Sequence, residues 1–211
     1  STLPPYSIII LGFVKTIFLS LGTLGIFLAG FLPFAGGREF LPFVLERIAI
    51  TSNQYLFTSV NAFNFWGLVH GLWKPDAGHY LWGLGIFLIL SLATIVKRRN
   101  DFEKHKFLIT SLLLTFSFMF LTRMHERHLL PVLAPLVIAS ASHPILFIPY
   151  AIFSFTYIAN LRYSFVWITQ DFQTIFSQEQ IMLFSLVNFS VMGLLLFISF
   201  TPLIGFVVKE M

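Results

Sequence analysis

The sequence contains no cysteine. Disulfides, thiolate nucleophiles and zinc–thiolate centres are therefore excluded, although the absence says little about compartment. Charge is also scarce: Asp, Glu, Lys and Arg make up 10% of the 211 residues, against roughly 25% in ordinary soluble domains. A chain this poor in charge cannot solvate its own surface. Neither a Gly-x-x-x-x-Gly-Lys-Ser/Thr phosphate loop nor a Gly-x-Ser-x-Gly nucleophile elbow occurs. The opening residues Ser1-Thr2-Leu3-Pro4-Pro5 lack the basic start and small-residue cleavage site of a signal peptide. An initiator Met is missing as well, so the chain is expected to be the C-terminal part of something longer. With no internal repeat, low-complexity tract or linker, residues 1–211 are expected to form a single domain.

Apolar residues are what the sequence has instead. Hydrophobic types account for 57%, 27 residues are Phe, and the mean hydropathy is +0.85. The expected class is all-α, a polytopic transmembrane helix bundle of about six spans. Nothing in the chain resembles the alternating strands of a membrane barrel. The spans are expected near Thr16–Phe34, Tyr80–Val96, Phe107–Thr122, Leu129–Ala141, Ile145–Ala159 and Ile181–Val208. On the first span, Gly22, Gly25 and Gly30 suit close helix packing. Between Arg38 and Ile50, apolar residues recur at helical spacing against Arg38, Glu39, Glu46 and Arg47, which predicts an amphipathic helix lying along the membrane surface.

The net charge of +4 is modest, and most of it sits in one loop, so nucleic acid is not an expected partner. That loop, Lys97–Lys106, carries five Lys/Arg in ten positions, and by the positive-inside rule it belongs in the cytoplasm. Counting outward from it, Arg38–His79, Arg123–His128 and Asn160–Gln180 all reach the opposite face. Asn160–Gln180 is expected as a polar outer loop carrying an interfacial helix.

One segment stands out within this apolar background. Leu121–Pro131 reads L-T-R-M-H-E-R-H-L-L-P and places Arg123, His125, Glu126, Arg127 and His128 within six positions. Ionisable groups at the edge of a bilayer core are expensive unless paired, hydrated or used. If the segment is helical, Arg123, Glu126 and Arg127 share one face, and His125 and His128 share its neighbour. Two guanidiniums held by one carboxylate suit a phosphate, which Arg binds through a rigid fork of donors. The alternative is a cluster that anchors a helix end by snorkelling. A zinc-protease reading fails on spacing, because the histidines are three apart rather than four. No metal and no cofactor is expected.

A second polar stretch, Thr51–Trp73, is crowded with Asn53, Asn61, Asn64 and aromatic residues. On a helix Asn61 and Asn64 would point the same way, and the competing reading is an aromatic belt with Asn caps. In the turn Lys74–Gly78, Asp76 reads as a cap or turn residue.

Met124-His125-Glu126-Arg127-His128-Leu129-Leu130-Pro131 resembles the M-H-E-R-Y/H-L-x-P segment of bacterial GT-C membrane glycosyltransferases, relatives of the protein O-mannosyltransferases. Ser59-Val60-Asn61-Ala62-Phe63-Asn64-Phe65-Trp66 resembles the S-x-N-A-F/Y-N-x-W segment that precedes it in that group, and Leu32-Pro33-Phe34 resembles an earlier L-P-F. The resemblance implies an enzyme of a bacterial inner (plasma) membrane, active on its outer face. Such an enzyme transfers a hexose, mannose for example, from a polyprenyl-phosphate sugar to a hydroxyl of a lipid-linked, glycan or protein acceptor. It further implies that Arg123, Arg127, His125 and His128 bind the donor phosphate, with Glu126 orienting the arginines. Asn61, Asn64 and Trp66 would contact the sugar or brace the outer loops. The catalytic base in such enzymes lies in a first outer loop, expected upstream of Ser1, and no carboxylate here matches it. A lipid or solute transporter and a non-catalytic membrane scaffold remain the alternatives.

Overall fold

The computed structural model describes residues 5–201, with side chains from Val14 onward. The tail of the last expected span, 202–208, lies outside the described residues. The described chain is mostly helical, with eight α-helices and one two-stranded pairing. Among the described residues, four helical segments are long and apolar enough to cross a membrane: Val14–Phe34, His79–Arg98, Pro144–Thr169 and Gln178–Phe200. The chain consists of two compact units, Ser1–Tyr55 and Leu56–Met211.

In the first unit, α1 (Pro5–Ala29) is followed by a 3-10 turn (Leu32–Phe34) and α2 (Phe40–Asn53). Pro33 sits in the first turn of the 3-10 segment, where its missing N–H costs nothing. The Arg38 side chain then caps the turn, donating from Nε to the Ala35 carbonyl and from a terminal nitrogen to the Phe34 carbonyl, both at 3.1 Å. Within this unit the side chains from Val14 to Phe27 are exposed. A Cβ at Gly22 or Gly25 would meet nothing within 4 Å inside this unit.

The second unit is a bundle of α4 (His79–Arg98), α5 (Phe102–Phe120), α6 (Leu130–Ser142), α7 (Phe147–Thr169) and α8 (Gln178–Phe200), preceded by the short α3 (Phe65–Val69). Helix α5 is central, packing on α4, α6 and α8. Its Leu108, Leu112, Phe116 and Met119 join Leu129, Val132, Leu136, Phe153 and Leu195 in one core. Neither α5 nor α6 is among the four apolar spans. The charged first turn of α5 shortens its apolar stretch, and α6 has only 13 residues.

The two ends of the bundle differ in chemistry. At one end the basic loop closes on itself: Arg98 pairs with Asp101 at 2.8 Å and donates to the Ser199 carbonyl, while His105 stacks on His143. The other end carries irregular chain, residues 56–78 and 121–129. There β1 (Ser59–Val60) pairs in parallel with β2 (Met124–His125), in the register Ser59↔Met124 and Val60↔His125.

Helix α7 departs from the expected pattern. It does not end near Ala159 but runs on to Thr169, so the connection to α8 is only the short stretch 170–177. Asn160, expected at the start of a loop, lies buried inside the helix. Asn inside a helix is tolerated when its side chain is occupied elsewhere, and here it bonds the irregular chain beside it.

Candidate functional site

The segment 121–131 is not one helix. Helix α5 stops at Phe120, where Leu121 turns extended (ψ 142°), and Arg123 takes a left-handed φ of 65°. The Arg123 N–H donates to the Phe57 carbonyl at 2.9 Å, and Met124–His125 pair with Ser59–Val60. A 3-10 turn, Glu126–Leu129, leads into α6, where Pro131 occupies the first turn and lacks the N–H a continuing helix would need. The shared face expected for Arg123, Glu126 and Arg127 therefore does not form. Helical spacing fails because strand pairing and the proline each interrupt the helix.

Arg123 instead pairs with a residue that the sequence reading set aside. Its Nε donates to Asp76 Oδ2 at 2.8 Å, and Thr122 Oγ1 approaches the same oxygen at 3.5 Å. The Asp76 side chain is 9% exposed and that of Arg123 30% exposed, so the pair is largely withdrawn from water. The Tyr80 ring lies 6.0 Å from the guanidinium. Asp76 is also a turn residue, since its carbonyl accepts from the His79 N–H.

The two histidines do come together. The His125 N–H donates to His128 Nδ1 at 2.8 Å, and the rings meet edge to face with centroids 5.6 Å apart. Because Nδ1 of His128 accepts that bond, the proton of its neutral ring resides on Nε2. Burial, and then the Arg127 charge, hold both imidazoles below the usual histidine range, and His125 is pushed down to about 4. At neutral pH both rings are uncharged.

Glu126 is buried beneath this turn and approaches Arg127 at 3.6 Å, an electrostatic contact rather than a hydrogen bond. The Arg127 side chain is 59% exposed. Arg127 therefore projects outward, with a buried carboxylate behind it and two neutral imidazoles on the same turn.

The second polar stretch is not helical through its asparagines. Asn61 has φ 56°, a left-handed conformation that Asn tolerates, and Asn64 is the N-cap of α3. Asn61 Oδ1 accepts from the Trp73 indole at 2.7 Å. Asn64 accepts from the Gly67 N–H and donates to the Phe118 carbonyl, each at 3.0 Å. Trp66 donates its indole N–H to the Phe120 carbonyl at 2.7 Å. Asn64 and Trp66 brace the irregular chain against the end of α5, and Asn61 ties that chain to itself through Trp73.

Sequence reasoning missed two more braces. Asn160 of α7 accepts from the Phe63 N–H at 3.0 Å and donates to the Asn61 carbonyl, and Asn188 of α8 donates to the Phe63 carbonyl at 2.8 Å. Buried backbone in an apolar bundle must find partners, and these two amides supply them for Asn61 and Phe63. The only signal available was an Asn in the middle of an apolar run, which by itself names no partner.

Among the described residues no three His, Asp or Glu side chains converge to hold a metal ion. What the arrangement can do is present one exposed guanidinium and one imidazole N–H beside a braced loop, a donor set suited to a phosphate. Comparison with known proteins finds no matching family model, no matching curated protein and no matching solved structure.

Proposed function

We propose that this chain supplies the donor side of a multi-spanning GT-C type membrane glycosyltransferase, moving a hexose from a polyprenyl-phosphate sugar to an acceptor hydroxyl. The proposal includes about six membrane-crossing segments and an active end, built from residues 56–78 and 121–129, on the non-cytoplasmic face of a bacterial inner membrane. The observation that carries it is the pairing of the two motifs. Ser59–Val60 lie in register against Met124–His125, and Asn61 bridges His125, so segments more than sixty positions apart form one edge.

The chemistry follows from charge. As the bond between the sugar C1 and the phosphate oxygen breaks, its electron pair stays on the phosphate, and the acceptor oxygen bonds to C1. Arg127 offsets the growing phosphate charge, and His128 Nε2–H donates to it; such stabilisation of a leaving group is electrostatic catalysis. The acceptor proton goes to a base that none of these residues provides. Asp76 is occupied by Arg123 and Thr122, and Glu126 is buried behind Arg127.

The deciding experiment measures binding of a fluorescent polyprenyl-phosphate hexose to the purified chain in nanodiscs. Arg127→Lys keeps the charge but loses the fork, and should weaken binding about tenfold, with Arg127→Gln weaker still. Because Arg127 is exposed, both variants should melt like the parent. Unchanged affinity in both would leave only the anchoring scaffold, and uptake of a water-soluble solute by the chain would favour a transporter.

A further inference from the structure

The first unit contains a cleft separate from the residues proposed to hold the donor phosphate. Phe31, Phe34, Arg38, Phe43, Arg47 and Thr51 line a cavity of about 500 Å³ at the end of the Val14–Phe34 span. Its chemistry is two cations on one aromatic ring. The Arg38 guanidinium lies 4.1 Å from the Phe43 centroid, and that of Arg47 lies 5.5 Å from the same centroid. Arg38 is further held by its bonds to the Phe34 and Ala35 carbonyls. Arg47 is 44% exposed, and its acidic neighbour is Glu46 at 3.6 Å, itself 53% exposed. An exposed contact at that distance is weak, so a phosphate can displace it.

The cleft continues along α1. A second hollow of about 280 Å³ shares Phe31, Arg47 and Thr51 with the first and adds Phe27 and Ile48. A third shares Phe27 and runs along Thr16, Ser20 and Thr23. Thr16, Ser20, Thr23 and Phe27 follow each other at intervals of three or four, so they form one face of α1, and Phe31 stands in the turn just beyond it. From Thr16 to Phe27 the helix rises roughly 16 Å, close to the roughly 15 Å depth of one leaflet's hydrocarbon. That face, with Leu19 and Leu24 beside it and Phe27 at its end, is long enough for one acyl chain, and the arginines stand where its headgroup phosphate would be.

We infer that Arg38, Phe43 and Arg47, with the adjoining face of α1, form a binding site for an anionic glycerophospholipid of the surrounding membrane. The phosphate sits between the two guanidiniums and an acyl chain lies along Thr23, Phe27 and Phe31. Two guanidiniums at the end of an apolar span match the phosphate and the acyl chain of a membrane lipid. This site is independent of the donor reading for Arg127.

The test is lipid retention. The chain is reconstituted in vesicles of equal parts phosphatidylcholine and phosphatidylglycerol, solubilised gently, and its retained lipid is quantified by mass spectrometry. Phosphatidylglycerol should be enriched in the parent. Arg47→Gln should lower the enrichment roughly fivefold, the ratio equivalent to about 1 kcal/mol for one cation at an anionic lipid surface. Arg38→Gln with Arg47→Gln should lower it further. Arg99→Gln, a charge-matched change on an exposed residue of the basic loop, should leave it as in the parent. Since Arg38 also caps a turn, Arg47→Gln with an unchanged melting temperature is the decisive variant. Equal retention of the two lipids by the parent, or equal losses in Arg47→Gln and Arg99→Gln, would overturn the site. Displacement of the retained lipid by soluble glycerol phosphate at the same concentration would overturn the role of the α1 face.

Discussion

Arg123 and Asp76 are joined by a 2.8 Å charge-assisted hydrogen bond between segments 47 residues apart. The bond ties the start of the charged motif to the turn that leads into α4. Arg123 holds its left-handed backbone at this junction, and the carboxylate fixes the direction of its side chain.

This pair should behave as a coupled unit. Asp76→Asn or Arg123→Gln leaves one largely buried partner without its counter-charge, and each should cost about 2 kcal/mol, below the full penalty of a deeply buried pair. The double variant should cost clearly less than the two summed. A double-mutant cycle of unfolding in detergent measures this, and simple additivity would mean that the bond contributes nothing.

Gly83 on α4 is a steric requirement. A Cβ there would stand 2.1 Å from the Phe120 carbonyl, which also accepts the Trp66 indole N–H. Gly83→Ala must push backbone aside, and should destabilise the chain by about 1–3 kcal/mol despite its better helix propensity. Gly85, two residues on, meets nothing within 4 Å. Gly85→Ala is therefore the control, expected to be neutral or slightly stabilising in the same melts.

Asn160 supports the buried backbone of Asn61 and Phe63. Asn160→Leu removes one donor and one acceptor at once and strands a buried N–H and a buried carbonyl, with a cost on the order of 2–5 kcal/mol. Asn160→Asp keeps the acceptor for Phe63 but faces the Asn61 carbonyl without a donor. Hydrogen exchange should then speed up at Phe63 in the Leu variant first. Exchange as slow as in the parent would show that other groups satisfy that amide.

The depressed histidines predict a pH dependence with a definite sign. His125 titrates near 4 when folded but near 6.5 when unfolded. Between those values the unfolded chain binds more protons, so stability is intact above about 6.5 and falls as pH drops toward 4. His128 is depressed as well and adds in the same direction. His125→Gln, which cannot gain a proton there, should show a shallower fall in melting temperature over this window. Parallel curves for parent and variant would place the pH dependence in other groups.

Much of this protein was legible one residue at a time. Scarce charge and abundant Phe dictate an all-α, membrane-directed chain, since apolar surface on that scale has to be buried in protein or lipid. The outlines of α4, of the described part of α8 and of α2 follow from periodicity and from the charges near them, whereas α1 begins earlier than the expected Thr16 and ends at Ala29 rather than Phe34. The clustering of Arg123, His125, Glu126, Arg127 and His128 is a property of the sequence itself. Which of them touch is not. Helical spacing pointed to Arg123 beside Glu126, but strand pairing with Ser59–Val60 turned Arg123 toward Asp76, while Pro131 restarted the helix beyond. Asn160 looked like the start of a loop because its hydrogen-bond partners, Asn61 and Phe63, lie about a hundred positions away. Periodicity reports what a segment does alone. The irregular chain between the helices takes its shape from backbone groups that had to find partners in an apolar interior, and only the assembled bundle determines who those partners are.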